Sequence, residues 1–153
     1  MQAKYDLFAS AFLEKITEYQ LFYNEENIDA SIETIDGYMK RAMTAFRRVS
    51  KYNLYESRND AARTLEIDDS ISAAELDEIC DIISEGMVVQ WLKTYLYKQE
   101  LLENLLNTRD FTSYSPANLL KEVGAAYNKA SENFTQMIRE YSYNTGNLRN
   151  LHT

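Results

Sequence analysis

From Leu119 to Tyr141 the apolar side chains return every three or four residues, through Leu119, Leu120, Val123, Ala126, Tyr127, Ala130, Phe134, Met137, Ile138 and Tyr141. A strand, whose side chains alternate with period two, could not keep such a series on one face. The spacing therefore predicts a helix of about seven turns with one apolar stripe. Its start is marked as well: Ser115 can accept from the free N–H groups of a first turn, and Pro116 fills a position where a missing N–H costs nothing. The stretch LLNTRDFTSYSPANLLKE, residues 105–122, thus closes one apolar helix and opens the next through a rigid elbow. Gly146 supplies a left-handed stop.

The remainder reads the same way. Leu7, Phe8, Phe12, Leu13, Ile16 and Tyr19 predict a first helix from Tyr5 to about Phe22. After a polar break at Asn24–Asn27, a second amphipathic helix carries Ile28, Ile32, Ile35, Met39, Ala42, Met43 and Phe46 and runs to about Lys51. Between Tyr52 and Ile71 the pattern lapses into a long connection, with one helical turn expected around Asp60–Leu65. Ser72 and Glu75 then form an S-x-x-E capping box. Behind it Leu76, Ile79, Ile83, Met87, Trp91 and Tyr95 lead a third helix to about Tyr97, and Val88, Val89 and Leu92 widen its apolar face enough to enclose it on several sides. Leu101, Leu102, Leu105 and Leu106 predict a short helix ending near Asn107. Only four Gly and one Pro leave little room for the turns of an all-β protein. The expected fold is all-α: a bundle of four to five helices with a long central helix over residues 1–143, and an extended C-terminal tail over 144–153.

Charge is segregated along this chain, whose net value is -8. Residues 38–63 carry seven basic side chains against two acidic ones, whereas 64–90 carry eight acidic and no basic. On the second helix Lys40, Arg41, Arg47, Arg48 and Lys51 fall within about a third of the circumference, opposite Ile35, Met39, Ala42, Phe46 and Val49. That stripe is either a solvated helix face, a surface that touches phosphate, or a dock for acidic residues of a neighbouring copy. The last reading pairs it with Asp68, Asp69, Asp77 and Asp81 as a subunit interface. An acidic chain repels a phosphate backbone overall, which disfavours autonomous nucleic-acid binding.

Nothing announces a reaction. His152 is the sole histidine and stands in a terminal tail with no nucleophile or orienting partner. Cys80, the sole cysteine, reads as a small buried apolar side chain and excludes an internal disulfide or a cysteine-cluster metal site. Gly-rich phosphate loops, nucleophile elbows and H-E-x-x-H motifs are all missing. No catalytic, metal or cofactor residue is therefore expected. Met1–Ser10 has no basic start followed by an apolar core, and nowhere do eighteen apolar residues run together, so use in a soluble compartment and no membrane partner are expected. Tyrosine is over-represented at twelve copies; pairs such as Tyr52 with Tyr55, Tyr95 with Tyr97 and Tyr141 with Tyr143 suit subunit contacts, while about half suit the core edge. An extended Asn147–Thr153 would reach roughly 20–25 Å, with Leu148 and Leu151 as apolar anchors.

EGMVVQWL at 85–92, LLNTRDFTSYSPANLLKE at 105–122 and IREYSYNTGNL at 138–148 resemble segments of small helical proteins encoded among the head and neck genes of tailed bacteriophages, the head-to-tail connector or adaptor family. The resemblance covers about Ser72 to Leu151. It implies a dodecameric ring of identical subunits in the virion neck, made in the host cytoplasm, joining the portal protein to a downstream neck or tail protein while packaged DNA passes through the channel. By position it implies portal docking through Asn147, Leu148, Arg149, Asn150, Leu151 and His152. The rival readings are another neck or tail-completion protein and a small helical regulator that binds a host or phage partner.

Overall fold

A computed structural model describes residues 1–18, 31–50, 52–97 and 116–144. The chain is mostly helical, with a small three-stranded antiparallel sheet. Its elements are β1 (Gln2–Lys4), α1 (Tyr5–Ile16), α2 (Ile32–Phe46), β2 (Arg58–Asn59), β3 (Thr64–Glu66), α3 (Ala73–Tyr97) and α4 (Pro116–Asn144).

The sheet corrects the all-α expectation. Strand β3 lies between β1 and β2, with Ala3 opposite Leu65 and Asn59 opposite Thr64. Ala3 and Leu65 point into the core while Gln2, Lys4 and Glu66 are exposed and Thr64 is half-buried, which is strand alternation compressed into three residues. The helical turn expected at Asp60–Leu65 is instead the tip of the β2–β3 hairpin. There Ala62 N donates to Asn59 Oδ1 at 3.1 Å, and Arg63 takes a left-handed φ of 54°. A non-glycine residue held there is strained. Arg63 is fixed by its own side chain, which grips Asp36 of α2 through Nε at 2.8 Å and Nη2 at 3.0 Å and Asp6 of α1 through Nη1 at 2.9 Å. Its carbonyl accepts the Tyr5 amide at 2.9 Å, so one residue ties the hairpin to the start of α1 and to α2.

Helix α1 stops at Ile16, short of the expected Phe22, and residues beyond Glu18 lie outside the described residues. Helix α2 begins at Ile32 because Ser31 caps it, its side chain accepting from Thr34 N at 3.1 Å, and ends at Phe46. Ser72 performs its expected role at α3, accepting from Glu75 N at 3.1 Å. Glu75, however, turns away from the box and accepts from Tyr141 Oη at 3.1 Å, which joins the start of α3 to the end of α4. Pro116 is the first residue of α4, as its missing N–H requires. The elbow before it, the short helix at 101–107 and the stop at Gly146 lie outside the described residues.

Helix α3 is the hub, packed against α1, α2 and α4. Ile79, Ile82, Ile83, Met87, Val88, Val89, Trp91, Leu92 and Tyr95 are all buried, covering most of its circumference, as expected of a helix enclosed on several sides. Gly86 is the point of closest approach: a Cβ there would lie 2.8 Å from Ala42 Cβ of α2 and 2.8 Å from two ring atoms of Phe134 of α4. Aromatic edges extend the core. Phe12 stands edge-on to Tyr38 at 5.9 Å and to Trp91 at 6.4 Å, Trp91 edge-on to Tyr95 at 5.5 Å, and Phe46 tilts on Tyr141 at 4.9 Å. Three expected core positions prove exposed: Leu7, Ile32 and Leu120. Among the described side chains of α4, Val123, Ala130 and Tyr141 are fully buried, while Ala126, Tyr127, Phe134, Met137 and Ile138 are half-covered along its stripe.

Candidate functional site

The basic stripe of α2 is divided by the fold. Lys40 Nζ lies 3.4 Å from Asp60 of the hairpin, and Arg47 lies 3.8 Å from Glu56 and 5.8 Å from the Tyr55 ring. Asp60 also holds Arg58 at 2.8 Å and accepts from Tyr5 Oη. The Tyr5 hydroxyl, the Arg58 guanidinium and the Lys40 ammonium keep this carboxylate ionised below its ordinary range, with the Tyr5 hydrogen bond the largest cause. Burial, reinforced by Asp60, pushes the Tyr5 phenol up to about 12. These contacts fasten the hairpin to α1 and α2. Arg41 and Arg48 remain exposed on the stripe with no acidic partner among the described residues; Lys51 lies outside them.

The expected acidic patch is divided too. Asp68 closes a local turn, accepting from Ser70 N at 2.8 Å and Ser70 Oγ at 2.6 Å, and Asp69 sits 3.3 Å from the Met1 amine. Asp81 and Glu85 hold Lys15 of α1 at 2.7 and 3.0 Å. This pairing, opposed by the cost of burial, raises the Lys15 ammonium above its usual range. Lys15, Asp81 and Glu85 line a polar cleft of about 530 Å³ between α1, α3 and α4, where Lys129 and Asn133 form the opposite wall. Asp77 and Glu78, on the second turn of α3, are exposed and make no hydrogen bond or ion pair with a described residue.

The structure therefore brings Lys40, Arg47 and Asp81 into internal pairs and leaves Arg41, Arg48 and Asp77 facing outward. It also adds a residue the sequence did not single out. Lys93, near the end of α3, shares a concave site of about 240 Å³ with Arg41, Gln90, Thr94 and Tyr97. Its ammonium stands 5.9 Å from the Tyr97 ring, and that ring is 77% exposed. No spacing within either helix could have linked Arg41 to Lys93, since only the antiparallel packing of α2 on α3 joins them.

Two of the tyrosine pairs split between inside and outside, whereas Tyr52 and Tyr55 are both half-buried against the core. Tyr95 and Tyr141 are buried while Tyr97 and Tyr143 are exposed, because residues two apart on a helix point about 200° apart. The Tyr141 phenol is raised above its usual range by burial and by the Glu75 carboxylate. Cys80 is buried, donates to Leu7 O at 3.6 Å, and is pushed up to about 11 chiefly by burial, so it is a neutral thiol at neutral pH. Among the described residues no group of three or more His, Cys, Asp or Glu could hold a metal ion, and no helix is long and apolar enough to cross a membrane. The tail residues Asn147–His152 lie outside the described residues. Compared with protein-family models, curated proteins and solved structures, the chain matches none.

Proposed function

We propose that this chain is a structural part, not a catalyst: a head-to-tail connector that forms a ring between the portal and the tail of a phage particle. The observation that carries the reading is electrostatic polarity along one rigid element. Helix α3 presents Asp77 and Glu78, unpaired among the described residues, near its first turns and Lys93, joined by Arg41 of α2, near its last. Unlike patches on one body favour a heterologous contact, in which one patch meets a different patch on the next copy; such contacts close into rings when the rotation allows. The resemblance at 85–92, 105–122 and 138–148 supplies the setting. In it the whole chain is a bundle of four to five helices with an extended tail, localised in the virion neck, and Asn147–His152 dock the portal. Net negative charge suits a channel through which DNA must slide without sticking.

The exposed Tyr97 and Tyr143 favour a second reading, a helical regulator that grips one protein through a tyrosine surface. Deletion of residues 147–153 separates the two. For the connector it leaves far-UV circular dichroism unchanged and abolishes capture by the portal protein. Capture at wild-type strength refutes the tail's role.

A further inference from the structure

We infer that the Arg41–Lys93 pocket is a carboxylate-binding site whose occupant is the Asp77–Glu78 pair of a second copy of this chain. The inference rests on the ring reading and names the contact that would build it.

Four observations support it. First, Arg41 and Lys93 converge on one concavity from two helices, and neither has an acidic partner among the described residues, although Lys40 and Arg47 beside Arg41 both do. Two cations held together without a counter-charge repel one another, and an incoming carboxylate relieves that repulsion. Second, the walls suit a carboxylate. Gln90 offers an amide donor among the lining residues and Tyr97 a flat apolar side, while the Thr94 hydroxyl already donates to Trp91 O at 2.6 Å. Arg41 can present parallel N–H donors to both oxygens. Third, the site is small. At about 240 Å³ it falls below the usual 300–1,000 Å³ of small-molecule pockets and fits a side chain better than a free cofactor.

Fourth, the acids are placed to reciprocate. Asp77 and Glu78 are exposed, unpaired among the described residues, and carried by the same rigid helix. Glu78 and Lys93 are separated by fifteen residues, which is about 22 Å along the axis and about 60° around it. A neighbour whose α3 is displaced along that direction therefore sets its acidic turn against this pocket and offers its own pocket to the next copy. DNA phosphate is the other anion within reach of such a chain, but the net charge of -8 opposes its approach.

A charge-swap experiment on the full chain tests the pairing. Arg41→Glu with Lys93→Glu (variant A) and Asp77→Lys with Glu78→Lys (variant B) change exposed side chains only, and circular dichroism checks that each folds; should reversal disturb the fold, Arg41→Gln with Lys93→Gln tests the loss of association alone, without the mixing arm. Sedimentation velocity reads association. Each variant alone is expected to associate at least about tenfold more weakly than wild type, and an equimolar mixture of A and B to regain assembly, because every contact in the mixture is again opposite in sign. If wild type assembles and A assembles equally well, this inference falls while the ring reading stands. It falls likewise if A and B are each impaired but their mixture is not rescued. Loss in A of binding to a labelled DNA duplex, with self-association untouched, assigns the pocket to phosphate and overturns the inference. If wild type itself remains a monomer even with the portal protein present, the ring reading fails first.

Discussion

Replacing Gly86 by alanine adds one methyl group at the place where α2, α3 and α4 come closest. The new Cβ would stand 2.8 Å from Ala42 Cβ and 2.8 Å from Phe134 Cε1 and Cζ, whereas carbon atoms in favourable contact keep about 3.5–4.0 Å. Ala42 Cβ is fixed to the backbone of α2 and cannot rotate away; the Phe134 ring can turn, but it is packed against the core from α4. Overpacking of this kind costs about 1–3 kcal/mol. The alanine recovers about 1 kcal/mol of helix propensity, so a net loss of up to about 2 kcal/mol is expected. For a chain of this size the upper end corresponds to a melting temperature lower by about 4–8 °C. Gly37 and Gly124 are the internal controls, since both lie inside helices and a Cβ at either meets nothing within 4 Å. Gly37→Ala should therefore gain about 0.5–1 kcal/mol. Thermal and urea unfolding followed by circular dichroism compare them, and the difference between the two glycines isolates the packing cost from the propensity gain. Were Gly86→Ala to stabilise the chain as much as Gly37→Ala, the close crossing of α2, α3 and α4 would be wrong.

Three other outcomes follow from the site geometry. Arg63→Ala removes the cation that Asp6 and Asp36 share at the hairpin tip and leaves Asp36, whose side chain is 14% exposed, uncompensated, so a lower urea midpoint is expected, with Arg63→Lys intermediate because a lysine cannot grip both Asp36 oxygens. Lys15→Met strands Glu85, whose side chain is 13% exposed, and should cost about 1–3 kcal/mol, whereas Asp81→Asn, at an exposed acid, should cost under about 1 kcal/mol. The Tyr5 phenol is raised from its ordinary 10.0 to about 12, so its contribution is whole below pH 10.0 and disappears as pH rises through about 12. Melting temperature should fall across that interval, and less steeply in Tyr5→Phe; equal slopes would rule out the Tyr5–Asp60 contact.

How far the sequence foretold this structure varied with the range of the interaction involved. The hub α3 and the last helix were readable because Ile79, Ile83, Met87, Trp91 and Tyr95, and later Val123, Ala130 and Tyr141, repeat with the helix over many turns and end in the core. Ser72 and Pro116 were readable because their roles are local. The sheet was not, since strands of two or three residues show a single alternation, and Ala3 and Leu65 are buried only because they meet across more than sixty residues of chain. Gly86 looked like one small residue in an apolar run, and its function as a crossing point exists only once three helices are assembled. Charge behaved similarly: the excess of basic residues at 38–63 and of acidic ones at 64–90 was plain, yet which charges are consumed internally depended on contacts such as Lys15 with Glu85 and Lys40 with Asp60. Arg41 and Lys93 are among the outward charges that those internal pairings leave.

Electron microscopy of the purified full chain, alone at high concentration and mixed with the portal protein, addresses the connector assignment most directly. Closed rings of identical subunits are expected, seated coaxially on the portal when it is present. Particles that remain single subunits in both samples would contradict that assignment.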